Sequence, residues 1–277
     1  MKESFATHYL IQFLAGTIIY VILLTPCLVR AQADISPAAT IEELKTLAEG
    51  GNADAMLALG EKLIPDPGTD SGATEGLTWL QKAADAGNTE AWYDLGFVYA
   101  NGAGLKSDLV EAMKYFRIGA EKGNADCQAS LGLFYQAGER IPGGVKADNV
   151  EAVKWYKLAS DQNHEEAMFH LAQLYLWGDG VKKDTLEAAN LFRKGSELGN
   201  VDAQWMLGNC YHKGIGLEKN IVEAYALISA AVDGCENPEQ KKGMAETRDK
   251  IGSELTPEQL KLAQESAQAW GSRRSGE

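Results

Sequence analysis

The residues able to do chemistry are few, and their spacing does not suit it. His164 and His170 stand six apart, whereas two imidazoles that grip a metal from one helix face stand four apart. No Ser-x-x-Lys pair and no Gly-x-Ser-x-Gly elbow occurs, so the serine nucleophiles those motifs position are missing. Gly102-x-Gly104, Gly178-x-Gly180 and Gly214-x-Gly216 lack the Lys-Ser/Thr pair of a phosphate loop, and no strand is expected before them. Cys127, Cys210 and Cys235 are widely separated and read as buried free thiols rather than a disulfide framework. His212, just before a glycine-rich turn, reads as a solvated residue at a helix end. No cofactor and no metal is expected, and the job left for such a chain is recognition.

The elements that would position recognition residues are announced by a repeat. Gly51-Asn52-Ala53-Asp54-Ala55 returns as Gly87-Asn88-Thr89-Glu90-Ala91 and Gly199-Asn200-Val201-Asp202-Ala203, with degenerate copies at Gly123 and Asn163. Eight residues after each start comes Leu59, Leu95, Leu131, Leu171 or Leu207, followed by Gly60, Gly96, Gly132, Ala172 or Gly208. Tyr99, Tyr135, Tyr175 and Tyr211 stand three residues further on, completing one apolar face of a first helix. After the glycine turn a second helix opens with Asp108-x-x-Glu111, Asp148-x-x-Glu151, Asp184-x-x-Glu187 or Asn220-x-x-Glu223, each shaped like a capping box. The four extra residues of the third copy fall at Ile141-Pro142-Gly143-Gly144, between its helices.

A helix pair with one apolar stripe per helix cannot bury its own stripes, so neighbouring pairs must stack. The chain is therefore expected to be all-α, a right-handed α-solenoid of about five antiparallel helix pairs over residues 51–235, starting near 51, 87, 123, 163 and 199. A capping helix over 34–50, built on Ile41, Leu44 and Leu47, would cover the first pair. Two more over 236–270 would seal the last, and residues 271–277 read as a flexible tail.

These residues resemble the Sel1-like repeat family, relatives of the tetratricopeptide repeats. The resemblance rests on Ala-x-x-x-Leu-Gly-x-x-Tyr in the first helix, Gly-x-Gly in the turn, and Asp-x-x-Glu-Ala with an aromatic in the second. It implies a non-enzymatic scaffold or adaptor that assembles protein complexes. Some cysteine-rich relatives are associated with β-lactams, so an envelope hydrolase of β-lactamase-like type is the enzymatic alternative. The cysteine pairs that mark those relatives are absent here.

Within that array the first helices are expected to line the concave surface. Their stripe away from the core reads Asp94, Phe97 and Asn101 in the second copy, then Ser130 and Leu133 in the third. It continues as His170, Gln173 and Trp177 in the fourth, and Met206, Asn209 and Lys213 in the fifth. The residue types differ between copies while the core positions repeat, as befits a surface that packing does not dictate. Phe97, Leu133, Trp177 and Met206 would anchor a protein or peptide partner, with Asp94 and His170 reading it. The competing reading is that Phe97 and Leu133 pack against adjacent helices. The acids at Asp54, Glu90, Asp126, Glu166 and Asp202 suit the positive ends of first helices.

Composition narrows the partner. The 277 residues carry 26 Lys and Arg against 39 Asp and Glu, a net charge of −13 that disfavours nucleic acid and anionic membrane surfaces. Tyr9–Leu24 is an uncharged apolar run, too short to span a bilayer comfortably, and Ala31-Gln32-Ala33 follows as a small-x-small cleavage pattern. The expectation is a signal peptide over residues 1–33, cleaved after Ala33, delivering a secreted or periplasmic protein. Cleavage removes Lys2, Arg30 and Glu3, leaving 24 basic residues against 38 acidic. An uncleaved anchor, making the chain a membrane-anchored assembly factor, is the alternative, and Leu24-Thr25-Pro26-Cys27 is a loose lipoprotein-like pattern. A monomer is expected, touching a membrane only if that segment stays attached.

Overall fold

The structure, a computed structural model, describes residues 36, 38–65, 73–138 and 146–274, the last three without their side chains. The expected signal peptide over 1–33 lies outside the described residues. Among the described residues there are thirteen helices and no strand. They are α1 (Ile41–Glu49), α2 (Ala53–Leu63), α3 (Thr74–Asp85), α4 (Glu90–Asn101), α5 (Leu109–Glu121) and α6 (Ala125–Ala137). Then follow α7 (Asn149–Ser160), α8 (Glu165–Trp177), α9 (Thr185–Glu197), α10 (Val201–Lys213), α11 (Ile221–Gly234), α12 (Pro238–Gly252) and α13 (Pro257–Arg274). The helices of five tandem α-solenoid repeats run from α2 to α11, with the pairs α2/α3 and α4/α5 in one unit and α8/α9 and α10/α11 in another. The chain forms two compact units that meet in sequence between Asp148 and Asn149, after the segment carrying the third copy's insertion.

The start of each first helix shows why Asn recurs. Asn52, Asn124 and Asn200 each accept a hydrogen bond from the backbone N–H three residues on, at 2.9, 2.8 and 2.7 Å. His164 takes the same place in α8, where its Nδ1 accepts from the Ala167 N–H at 3.2 Å. The residue before each cap is left-handed: Gly51, Gly87, Gly123 and Gly199 have φ of 93 to 99°, and Asn163 has φ 64°. In the turns the second glycine does a different job. A Cβ on Gly180 would sit 2.3 Å from the backbone of Asn149, and one on Gly216 would lie 2.0 Å from the Thr185 carbonyl. These turns therefore abut the start of the preceding second helix, and bare backbone sets the spacing between successive repeats.

Second helices are capped as read. The Asp108 carboxylate accepts from the amides of Val110 and Glu111, and Asp184 accepts from those of Leu186 and Glu187. The reciprocal half of the box differs. Glu111 turns to Lys114 and Glu223 turns to α13, whereas Thr40 and Glu43 of α1 make the full two-way box.

In the first unit α1 to α6 pack in chain order, each on the next. The face of α1 turned inward is not the expected one. Leu44 and Ala48 are buried, while Ile41 and Leu47 stand 48% and 43% exposed. Ala48, four residues beyond Leu44, shares its stripe, and the bulkier side chains flank it. In the second unit α7 to α12 also pack in chain order, but α13 breaks the pattern by folding back onto α11 and touching α9. Helix α13 also continues to Arg274, so residues 271–274 are helical rather than tail. Trp270, 8% exposed and bonded to Glu223, pins that last turn, and no proline interrupts it.

Candidate partner-binding surface

In the first unit, α4 carries Asp94, Phe97 and Asn101, and α6 carries Ser130 and Leu133. Asp94 is half-buried, and its carboxyl hydrogen-bonds the Glu61 carboxyl on α2, one repeat away. Burial first, then the charge of Glu61 and those of Glu90 and Asp126, push the Asp94 pKa well above the usual carboxylate range. That shift favours a neutral Asp94 carboxyl, which suits a basic partner less well than a free carboxylate would. Phe97, also half-buried, leans on Tyr93 with ring centroids 6.1 Å apart. The Asn101 Nδ2 donates to the Phe97 carbonyl at 3.1 Å, and the Ser130 hydroxyl donates to that of Asp126 at 2.8 Å. Leu133 is 8% exposed and belongs to the core. It is not an available anchor, because the stripe of α6 that faces its neighbours is wide enough to include it: Leu131, Gly132, Leu133 and Phe134 are all buried.

The second unit carries the other half of the expected set on α8 and α10. His170 lies flat on Tyr156 of α7, ring centroids 5.3 Å and planes 16° apart, with Phe169 edge-on at 5.3 Å. Burial, aided by the charge of His164 and opposed by Gln173, drops its pKa to about 4, so the imidazole is neutral at pH 7. Its Nε2 lies 3.9 Å from Glu166. Gln173 and Met206 are half-buried, Lys213 is exposed, and Trp177 keeps 38% of its surface in water at the end of α8. Asn209 turns its Nδ2 to the Trp205 carbonyl at 2.9 Å. Asn101, Ser130 and Asn209 thus each satisfy one polar group on their own helix, which leaves them less to offer a partner.

Glu61 lies on the candidate stripe but is not among the residues expected to contact a partner. Its signal was present: it occupies in the first copy the position of Phe97 in the second, on the same stripe as Asp94. The acids at the first-helix starts also do more than face the helix dipole. Asp54 accepts from the Asn88 side chain at 2.9 Å, and Asp202 from Gln240 at 2.6 Å, so each holds the start of the helix two elements on.

Among the described residues the cysteines Cys127, Cys210 and Cys235 are free and buried, and burial raises their thiol pKa values, that of Cys210 to about 11. Among the described residues no three His, Cys, Asp or Glu side chains are grouped so as to hold a metal ion. No described helix is long and apolar enough to cross a membrane.

The helix pairs coincide with a known repeat. The Sel1 repeat pattern matches residues 53–88, 89–124, 125–164, 165–200 and 201–234. Among solved structures, a protective antigen of uropathogenic Escherichia coli with an SLR fold is 31% identical, with a TM-score of 0.73. That alignment covers 85% of this chain and 49% of the antigen, so the chain spans about half the antigen's length. A Sel1 repeat protein from Oxalobacter formigenes is 27% identical over 86% of this chain and 100% of its own, with a TM-score of 0.61. No curated protein is significantly similar. Five matched copies, in step with five helical repeats and their capping asparagines and turn glycines, place this chain in the Sel1 repeat family.

Proposed function

We propose that the protein is an exported, non-enzymatic adaptor that holds a protein or peptide partner on the face formed by the first helices of its repeats. The observation that carries this reading is Trp177, an indole left 38% exposed at the end of α8, in register with half-buried His170 and Gln173. Large aromatic side chains beside adaptable polar groups are the usual anchors of protein interfaces. The scaffold role that Sel1-like repeats generally play supports it. Export is supported by the Tyr9–Leu24 run followed by Ala31-Gln32-Ala33, by the acidic balance of the chain, and by the likeness to a protective antigen.

Two measurements test it. Amino-terminal sequencing of the protein from its native cells should begin at Asp34, and a chain that retains Met1 would refute export by cleavage after Ala33. For the surface, a photo-crosslinker placed at Gln173 in living cells should capture a partner identifiable by mass spectrometry. Trp177→Ala should reduce that capture on the order of tenfold while the melting temperature holds. Undiminished capture by Trp177→Ala and by Met206→Ala would dispose of this face.

A further inference from the structure

The grooves between successive second helices are built from equivalent positions of the 36- to 40-residue repeat, yet three of them meet three different fates. In the first unit the groove between α3 and α5 is filled by the chain's own aromatics. Trp92 and Tyr99 stack on Tyr115, with centroids 6.3 and 5.3 Å apart. In the second unit the groove between α9 and α11 is covered by α13, which packs on α11 and touches α9. There Glu223 accepts from the Trp270 indole N–H at 2.8 Å and from the Ser266 hydroxyl at 3.4 Å.

One repeat earlier, the groove between α7 and α9 stands open, a cavity of about 510 Å³. Met168 and Leu191 replace the Trp92 and Tyr115 of the first unit, so no aromatic stack fills it. Its apolar lining includes Met168, Leu171, Tyr175 and Leu191, and its charged lining is Lys157 and Lys194 with Asp161, Glu187 and Glu197. Glu187 is the translated counterpart of Glu223, as Leu191 is of Leu227. Leu198, 49% exposed, adds apolar surface where the covered groove has Gly234, and Lys194 adds a positive charge where it has Ala230.

We propose that the α7/α9 groove is a second docking surface, and that it takes an amphipathic helix of a partner protein, laid as α13 lies one repeat on. The helix presents apolar side chains to Met168, Leu191 and Leu198 and an indole or hydroxyl donor to Glu187. It carries at most one acidic side chain, toward Lys194, where the covered groove has Ala230, because Asp161, Glu187 and Glu197 line the groove alongside Lys157 and Lys194. This surface lies between second helices, with Met168 and Leu171 of α8 beneath it, and does not depend on the first-helix face being a binding site.

The chain's own seated helix is the natural probe. A fluorescein-labelled synthetic peptide of residues 257–274 should bind the full chain saturably. Leu198→Glu and Lys194→Glu, both at exposed positions and checked by their melting curves, should each weaken that binding on the order of tenfold. A benzophenone replacing the indole of the peptide should crosslink to α7 or α9. Absence of saturable binding, or binding indifferent to both substitutions, overturns the proposal. So does crosslinking to α11, which would mean the peptide merely displaces α13. A wild-type dimer in sedimentation that Leu198→Glu dissociates also overturns it, because the occupant is then a second copy.

Discussion

Asp94 on α4 and Glu61 on α2, 33 positions apart in the chain, face each other across a repeat boundary and share a hydrogen bond between two carboxyl groups. Two neighbouring carboxylates cannot both stay charged in a half-buried site, so the fold holds a proton that the unfolded chain would release. The native state therefore binds more protons than the unfolded state above the ordinary aspartate pKa. This pair thus lowers stability as pH rises from that value through the raised native one. Asp94→Asn keeps a hydrogen-bonding group without the titration. Denaturant unfolding should show Asp94→Asn more stable than wild type at pH 7, with the difference vanishing toward pH 4.

His170 contributes the opposite slope. Its native pKa of about 4 lies below the ordinary 6.5, so the unfolded chain binds the extra proton. The stability it provides is complete above pH 6.5 and is lost as pH falls toward 4, on the order of 3 kcal/mol over the whole window. Glu166, whose carboxylate lies 3.9 Å from Nε2, does not offset the burial. An NMR titration should find the His170 imidazole neutral down to pH 5. His170→Gln should flatten the acid limb of the stability curve between pH 6.5 and 4.5.

Within a helix pair, the small residue of the first helix lets the second helix approach closely. A Cβ on Gly96 would lie 2.5 Å from the Phe116 ring, and one on Gly208 would lie 2.6 Å from the Ile228 side chain. Both targets are buried in the core. Gly96→Ala should destabilise by about 1–3 kcal/mol through overpacking, read by urea unfolding. The fourth repeat carries Ala172 here, fully buried, so the same alanine is accommodated where the partner helix leaves room.

Asn163 holds a left-handed backbone at φ 64° where the other copies have glycine. Asn163→Gly should unfold within about 0.5 kcal/mol of wild type, and Asn163→Ala should lose roughly 1–2 kcal/mol, because alanine's Cβ strains that conformation. Comparing the two thermal denaturation midpoints separates backbone strain from loss of the side chain.

Helix α13 should detach when its anchor is cut. Trp270→Phe keeps the apolar ring and removes the hydrogen bond to Glu223, a loss of about 1–3 kcal/mol for a bond to a charged acceptor. Hydrogen exchange should rise first in residues 257–274 and leave α8 and α10 protected. Equal acceleration across the whole second unit would mean α13 is integral to that core.

The sequence alone determined what neighbours three or four residues apart decide. The first-helix stripe of Leu95, Gly96 and Tyr99, the second-helix caps Asp108 and Asp184, the Asn163 that replaces glycine and the turn glycines all followed from local backbone and side-chain geometry. That information repeats every 36 to 40 residues, so five copies reinforced one another. Tertiary structure decided everything set by contacts between repeats. It buried Leu133, joined Asp94 to Glu61, laid His170 on Tyr156, and chose Leu44 and Ala48 over Ile41 and Leu47 as the inner face of α1. It also sent α13 back to α11 through a bond spanning 47 residues. An apolar stripe says that a helix must be covered and leaves open by what, because burial rewards area without regard to which neighbour supplies it.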